Sequence, residues 1–253
     1  MIKEHTLSPK PGLPVLIIRL PALLAGGVAC MIFAANSNDD FVGGALVISG
    51  LVLFVISFFT SIGFTAVSPN ESRVVQLFGK YVGTIHKQGL WWVNPFTSRI
   101  KVSVRVRNFD SDKLKVNDKE GNPVEIGAVV VWRVIETAEA IFEVDDYEDY
   151  VQVQSEAALR NLATQYPYDA HDGESVALRS HASTIAEQLK VEVQDRLEKA
   201  GVEVLEARIS HLAYAQEIAS AMLQRQQADA IIAARSKIVD GAVGMVEMAL
   251  IKL

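Results

Sequence analysis

The sequence has one cysteine, Cys30, so no disulfide can close within the chain, and nothing in it points to an oxidising compartment. Its five histidines, His5, His86, His171, His181 and His211, show neither HExxH nor paired His/Cys spacing, so the sequence offers no metal motif. His171 beside Asp172 reads as the cap of a helix. No Ser-Lys or Ser-His-Asp arrangement has a local signature, and only a triad assembled in space stays open. Gly79 and Gly83, either side of "KYV", suit a tight turn and not a phosphate loop. The expectation is a chain with no catalytic residue, no cofactor and no metal. Basic excess is missing too. Three acids and three bases precede Thr65, so the rest of the chain carries the whole net charge of −6, which argues against a nucleic-acid partner.

Hydrophobic runs, by contrast, are long. "PVLIIRLPALLAGGVACMIFAA", 14 to 35, and "FVGGALVISGLVLFVISFFTSIGF", 41 to 64, each reach the roughly 20 residues that cross a bilayer as a helix, and the second holds no charge. Only five residues, "NSNDD", separate them, which predicts a helical hairpin with both ends on one side. Arg19 and Pro21 weaken the first run but lie near its start, where an arginine snorkels to the interface, and the span is expected to begin near Leu20. A cleaved signal is the competing reading, although "GVAC" and "FAA" make poor cleavage boxes. Lys3, Lys10 and Arg19 before the hairpin, Asp39 and Asp40 at its tip, and Arg73 and Lys80 after it place both termini in the cytoplasm.

Beyond the hairpin the period becomes two. "IKVSVRVR", 100 to 107, puts Ile100, Val102, Val104 and Val106 on one face and Lys101, Ser103, Arg105 and Arg107 on the other. "SRVVQLFG", 72 to 79, is a second strand. "NPVEIGAVVVWRV", 122 to 134, turns Val124, Ile126, Ala128, Val130 and Trp132 inward and has apolar residues on its other face, so its middle is expected to be covered on both sides. Helical spacing follows: a short helix over 137 to 143, one over 147 to 165 ended by Pro167, and one over 173 to 199. The last carries Leu178, Ala182, Ile185, Leu189, Val193 and Leu197 as a stripe, with Asp172 as N-cap and Gly201 past its end. "VLEARIS", 204 to 210, returns to alternation with Leu205, Ala207 and Ile209 inward. Strands, helices, then a strand make an α+β domain.

From about Tyr214 to Leu253 there is no proline, and Gly241 and Gly244 are the first turn formers. Ile218, Met222, Ala230 and Ala234 are spaced helically around a polar "QRQQADA", so this helix cannot bury much surface alone and is read as one that packs against copies of itself. The apolar tail "IVDGAVGMVEMALIKL" has small residues that permit close helix approach. A solvent-exposed tail helix is the alternative.

Three ordered blocks, "SPNESRVVQLFGKYVGTIHKQGLWWVNPF", "YDAHDGESVALRSHASTIAEQLKVEVQDRLEKAGVEVLEARISHLAYA" and "EIASAMLQRQQADAIIAARSKIVDGAVGMVEMAL", resemble the SPFH (band 7) superfamily of stomatins, prohibitins and flotillins over about residues 64 to 250. That resemblance implies a membrane-anchored scaffold whose copies assemble side by side into large rings or cages. It also implies organisation of a membrane microdomain and regulation of client membrane proteins such as proteases or channels. An adaptor that binds one such partner without forming rings is the alternative. Many relatives have proline where this chain has Gln216, so the helix is expected to be able to run back toward Tyr214. The expected organisation is a cytoplasmic tail (1–13), a membrane hairpin (14–64), an SPFH domain (65–212) and an oligomerisation helix with an apolar tail (213–253).

Two clusters are candidate contact residues. In an extended "GLWWVNPF" Trp91 and Trp92 point to opposite faces, so one enters the core and the other, with Phe96, lies at the membrane interface or a neighbouring subunit. A bulged strand with both in the core is the alternative. Arg105 and Arg107, with Lys101, form a basic row, and Asp145 and Asp146 belong to the acidic run "EVDDYEDY". These are either two solvated faces or complementary surfaces that set register between subunits.

Overall fold

The computed structural model describes residues 4–37, 40–169 and 176–251. The chain forms two compact units. The first contains Met1–Arg107, Trp132–Val151 and Arg196–Val204, and the second Asn108–Val131, Gln152–Asp195 and Leu205–Leu253.

In the first unit, β1 (Lys10–Pro11) leads through α1 (Gly12–Pro14) and a π-helical segment (Val15–Arg19) into α2 (Leu20–Ala35), and α3 (Asp40–Ile62) returns beside α2. The helical rod therefore begins eight residues before Leu20. Gly12–Ala35 and Phe41–Ile62 are long and apolar enough to cross a membrane and are largely unburied, unlike the core helices of a soluble domain. The two helices close on small residues: a Cβ on Gly50 would lie 3.1 Å from the Gly27 carbonyl oxygen, and one on Gly27 would lie 3.2 Å from the Phe54 ring.

Past the hairpin come β2 (Phe64–Val67), β3 (Glu71–Leu77), β4 (Lys80–Ile85), β5 (Gly89–Trp92) and β6 (Thr97–Ser103). They form two antiparallel three-stranded sheets, ordered β1-β5-β2 and β4-β3-β6. The central strand β3 buries both Val74 and Val75, so it is covered on both faces. β6 starts three residues before the expected strand and stops at Ser103, the residue opposite Glu71, where β3 begins and no partner remains. The Val104 N–H instead donates to Asn70 O, and Val106 is 54% exposed rather than inward.

The remaining strands are β7 (Arg107–Asp110), β8 (Leu114–Asn117), β9 (Pro123–Val134) and β10 (Val202–Tyr214), with β9 between β10 and β7 and also paired to β8. Val124, Ile126, Ala128, Val130 and Trp132 are all buried along one face of β9, as alternation requires, while Val129 and Val131 opposite are half-buried. In β10 the buried residues are Val202, Val204 and Ala207, so the alternation slips by one, and Leu205 and Ile209 are only half-buried.

α4 (Thr137–Phe142) and α5 (Tyr147–Gln165) lie where helical spacing put them. α6 runs Ala182–Leu197, nine residues short of the expected start, and Ala182 is exposed. Leu178 is buried from the turn before the helix, where its amide donates to Pro167 O, and so it mimics the first rung of the stripe. Asp172 and His171 lie outside the described residues. Ile185, Leu189, Val193 and Leu197 form the buried stripe, and Gly201 ends the following 3-10 turn in the left-handed conformation. α7 (Gln216–Ile251) closes the chain and passes through Gly241 and Gly244 unbroken.

Candidate membrane and assembly interface

β5 is extended, and the two tryptophans part as the pleat demands. Trp91 packs on the cluster of Val67, Val75, Ile85 and Val93, and its indole N–H donates to Lys87 O at 2.7 Å. Trp92 turns to the hairpin. Its N–H donates to Thr60 O in the last turn of α3 at 3.0 Å, and the Arg19 guanidinium stands 5.7 Å over its ring. Gly63 permits this approach, since a Cβ there would lie 2.5 Å from the Trp92 Nε1. The Phe96 ring, 59% exposed, lies 5.8 Å from that of Phe59 on α3.

Arg99 completes this end of the hairpin. It donates to the carbonyls of Ile62 at 3.0 Å and Phe64 at 2.9 Å and to the Thr65 hydroxyl at 3.3 Å. Those carbonyls are acceptors that a helix leaves without internal partners at its C-terminus, and a cation there also suits the helix dipole. Burial, and then the like charge of Arg73, lower the Arg99 pKa. No local pattern marks this role, because the register that brings Arg99 to the helix end joins segments 35 residues apart.

The segment before the hairpin is folded as well. Besides β1, which pairs with Trp91 and Trp92, the Leu7 amide donates to Thr84 O and the Thr84 amide to His5 O, each at 2.8 Å. Both ends of the hairpin therefore feed one sheet, β1-β5-β2. Glu4 accepts from the Thr137 amide at 2.8 Å and hydroxyl at 2.9 Å and pairs with His86 Nε2 at 2.6 Å, while His86 Nδ1 lies 3.0 Å from the Ser72 hydroxyl. Ser72, His86 and Glu4 thus form the serine-histidine-acid string that only a structure could reveal. Ser72 is 1% exposed, so no substrate carbonyl reaches its oxygen, and the string acts as a latch for residues 4 to 7.

The charged clusters find partners inside the chain. Lys101 pairs with Glu71 at 2.6 Å, and Arg107 pairs with Glu148 while lying 5.6 Å from the ring centres of both Trp132 and Tyr147. Burial alone would lower the Arg107 pKa, but Glu148 and Tyr147 more than offset it and the pKa is raised. Asp146 accepts from the Glu148 and Asp149 amides and so caps α5. Arg105 and Asp145 are exposed. Among the described residues no group of three or more His, Cys, Asp or Glu could hold a metal.

α7 has no buried residue. Its root is fixed within the second unit: the Ala215 amide donates to Pro123 O, the Ile218 and Ala219 amides donate back to Ala215 O, and Glu217 pairs with Lys115 at 2.9 Å. Helix therefore starts at Gln216 and does not run back to Tyr214, which ends β10 and stacks on Tyr168 at 4.0 Å. Ile218 and Met222 are half-buried; Ala230 and Ala234 are exposed, as are Leu223, Ile231, Ile232, Ile238, Val239 and Val243.

An apolar hairpin, two mixed units and a long helix with no buried residue are the setting for a family match. The sequence profile of the SPFH domain / Band 7 family matches residues 65–239. The chain belongs to this family. It is 28% identical over 174 residues to a protein of Acanthamoeba polyphaga mimivirus that carries the band 7 family name, covering 67% of this chain and 55% of that one. To an uncharacterized protein of Methanothermobacter thermautotrophicus it is 26% identical over 180 residues, 71% of this chain and 53% of the relative. To a stomatin homolog of Pyrococcus horikoshii it is 26% identical over 200 residues, 79% of this chain and 69% of the homolog. The alignment thus spans about half the length of the first two relatives. In this band 7 chain the match takes in β2 through most of α7 and leaves out the hairpin, so the anchor rests on the chain's own apolar runs.

Proposed function

We propose that the protein is a membrane-anchored SPFH scaffold subunit. In this reading α2 and α3 span the bilayer with both termini cytoplasmic, and copies associate laterally through α7 into large homo-oligomeric rings or cages. The assembly bounds a membrane patch and regulates or sequesters membrane proteins such as proteases; no nucleic acid takes part. One observation carries the reading: a helix of 36 residues, about 54 Å long at 1.5 Å per residue, buries none of them within its own chain. Helices in proteins gain most of their stability from packing an apolar face, and α7 has eleven large apolar side chains exposed from Leu223 to Ile251. Burying each contributes on the order of 1.5–3 kcal/mol, which neighbouring copies of the same helix can supply.

The test leaves the fold of the single chain untouched. Ile231→Asp with Ile238→Asp in the full chain, extracted with its lipid, should reduce the particle to small species while the circular-dichroism melt of the domain stays in place. Particles of unchanged size in that variant would rule out α7 as the assembly surface and favour an adaptor bound to one partner.

A further inference from the structure

The loop between β3 and β4 is unusual in backbone and in exposure. Leu77 pairs with Lys80, so the loop is Phe78 and Gly79 alone, and both have positive φ, 50° and 81°. Positive φ at both central residues is the type I′ pattern, which Asn-Gly or Gly-Gly adopts freely and a bulky aromatic adopts under strain. Side-chain packing among the described residues does not offset that strain, because Phe78 is 86% exposed. An aromatic held strained and in the open marks a contact made outside the chain.

Register fixes which contact. β3 pairs with β6 so that Val75 faces Arg99 and Leu77 faces Thr97. Arg99 reaches the carbonyls of Ile62 and Phe64 at the end of α3, and Phe96, next to Thr97, lies against Phe59, three residues inside that helix. Going from Val75 to Leu77 advances about 6.7 Å in the same direction, so Phe78 leaves the sheet beside Phe96 at the end that carries the hairpin. Lys80 follows, exposed and without a carboxylate partner among the described residues. The turn thus carries an exposed aromatic with a cation two residues on, at the same end as the exposed apolar residues Phe58 and Ile62 of α3.

We propose that Phe78 is a wedge that enters the bilayer holding the hairpin, its ring among the upper acyl chains and the Lys80 ammonium at the lipid phosphates. The wedge rests on the reading of α2 and α3 as membrane-spanning. Aromatic side chains are favoured at that depth, and a basic residue at its rim gains from anionic headgroups. With Trp92 and Phe96 it gives the first unit a second hold on the leaflet, which fixes the orientation of the sheet above the membrane in a way a hairpin alone does not.

The experiment uses the full chain in liposomes of phosphatidylcholine and phosphatidylglycerol, with Cys30→Ala as background and a nitroxide label on Phe78→Cys. Labels on Val55→Cys in α3 and on exposed Asp112→Cys serve as lipid and water references. Power saturation compares collisions with oxygen, which concentrates in lipid, and with a water-soluble nickel chelate. The wedge requires the label at Phe78 to favour oxygen, as the label at Val55 does. A label at Phe78 that follows the one at Asp112, while Val55 stays lipid-like, overturns the wedge and leaves the anchor standing. Protection from both reagents overturns it too, by placing the loop in a protein contact. Nickel access at Val55 brings down the spanning reading and the wedge with it.

Discussion

Where α3 ends, its last carbonyls need donors, and Arg99 supplies them from a neighbouring strand. Removing that fork leaves the acceptors to water at a site where water is partly excluded. Arg99→Met should therefore lower stability by about 2 kcal/mol, the scale of one or two hydrogen bonds from a charged donor, read as a lower melting temperature in detergent. Arg99→Lys keeps the charge but loses the planar fork and should recover only part of the loss. An Arg99→Met melt equal to that of the parent would show that the contact is incidental. Trp92 belongs to the same group: the alternation of a strand said that one tryptophan of the pair must leave the core, and which one follows from the Thr60 carbonyl and Arg19 waiting on one side. That choice depends on segments 32 and 73 positions away, so no local pattern could contain it.

Among the elements, those with one buried face and a continuous partner were legible. β9 shows every second residue buried because it lies between β10 and β7, and α5 matches its helical period from end to end. The misread ones fail where a partner ends or a loop imitates a helix. Ile100 to Val106 alternate perfectly, yet β6 stops at Ser103 because β3 offers nothing beyond Glu71, and this separates Arg105 and Arg107 from Lys101. Leu178 fits the stripe of α6 but is buried from a turn. Residues 4 to 11 hold two prolines and one large apolar residue, Leu7, with no periodic signal at all, and are held by backbone pairing and the Glu4 latch. The start of α7 gives the prediction at this scale. Gln216 is the first helical residue, where a missing amide costs nothing, and Ala215 already accepts from Ile218 and Ala219. Gln216→Pro should leave the melting temperature and particle size unchanged, within about 0.5 kcal/mol. A loss of either would mean that the glutamine does more than begin a helix.

For the whole molecule, the hairpin and α7 each leave apolar surface exposed in a single chain, and in different ways. α2 and α3 expose apolar surface along their length, which a bilayer covers. α7 exposes apolar side chains in a segment that is not among the membrane-length apolar helices, and the proposed scaffold covers them with other copies of the chain. Lateral assembly on a membrane satisfies both demands with one arrangement. Composition and hydropathy made the apolar hairpin readable, and the exposed apolar side chains of α7 are what the proposed assembly rests on. The most direct test is the mass and shape of the native protein extracted with its surrounding lipid, by mass photometry and negative-stain electron microscopy. Closed particles of uniform mass, many times that of the 27.7 kDa chain, are the expected result. Monomers or small oligomers under the same gentle extraction would contradict the scaffold account.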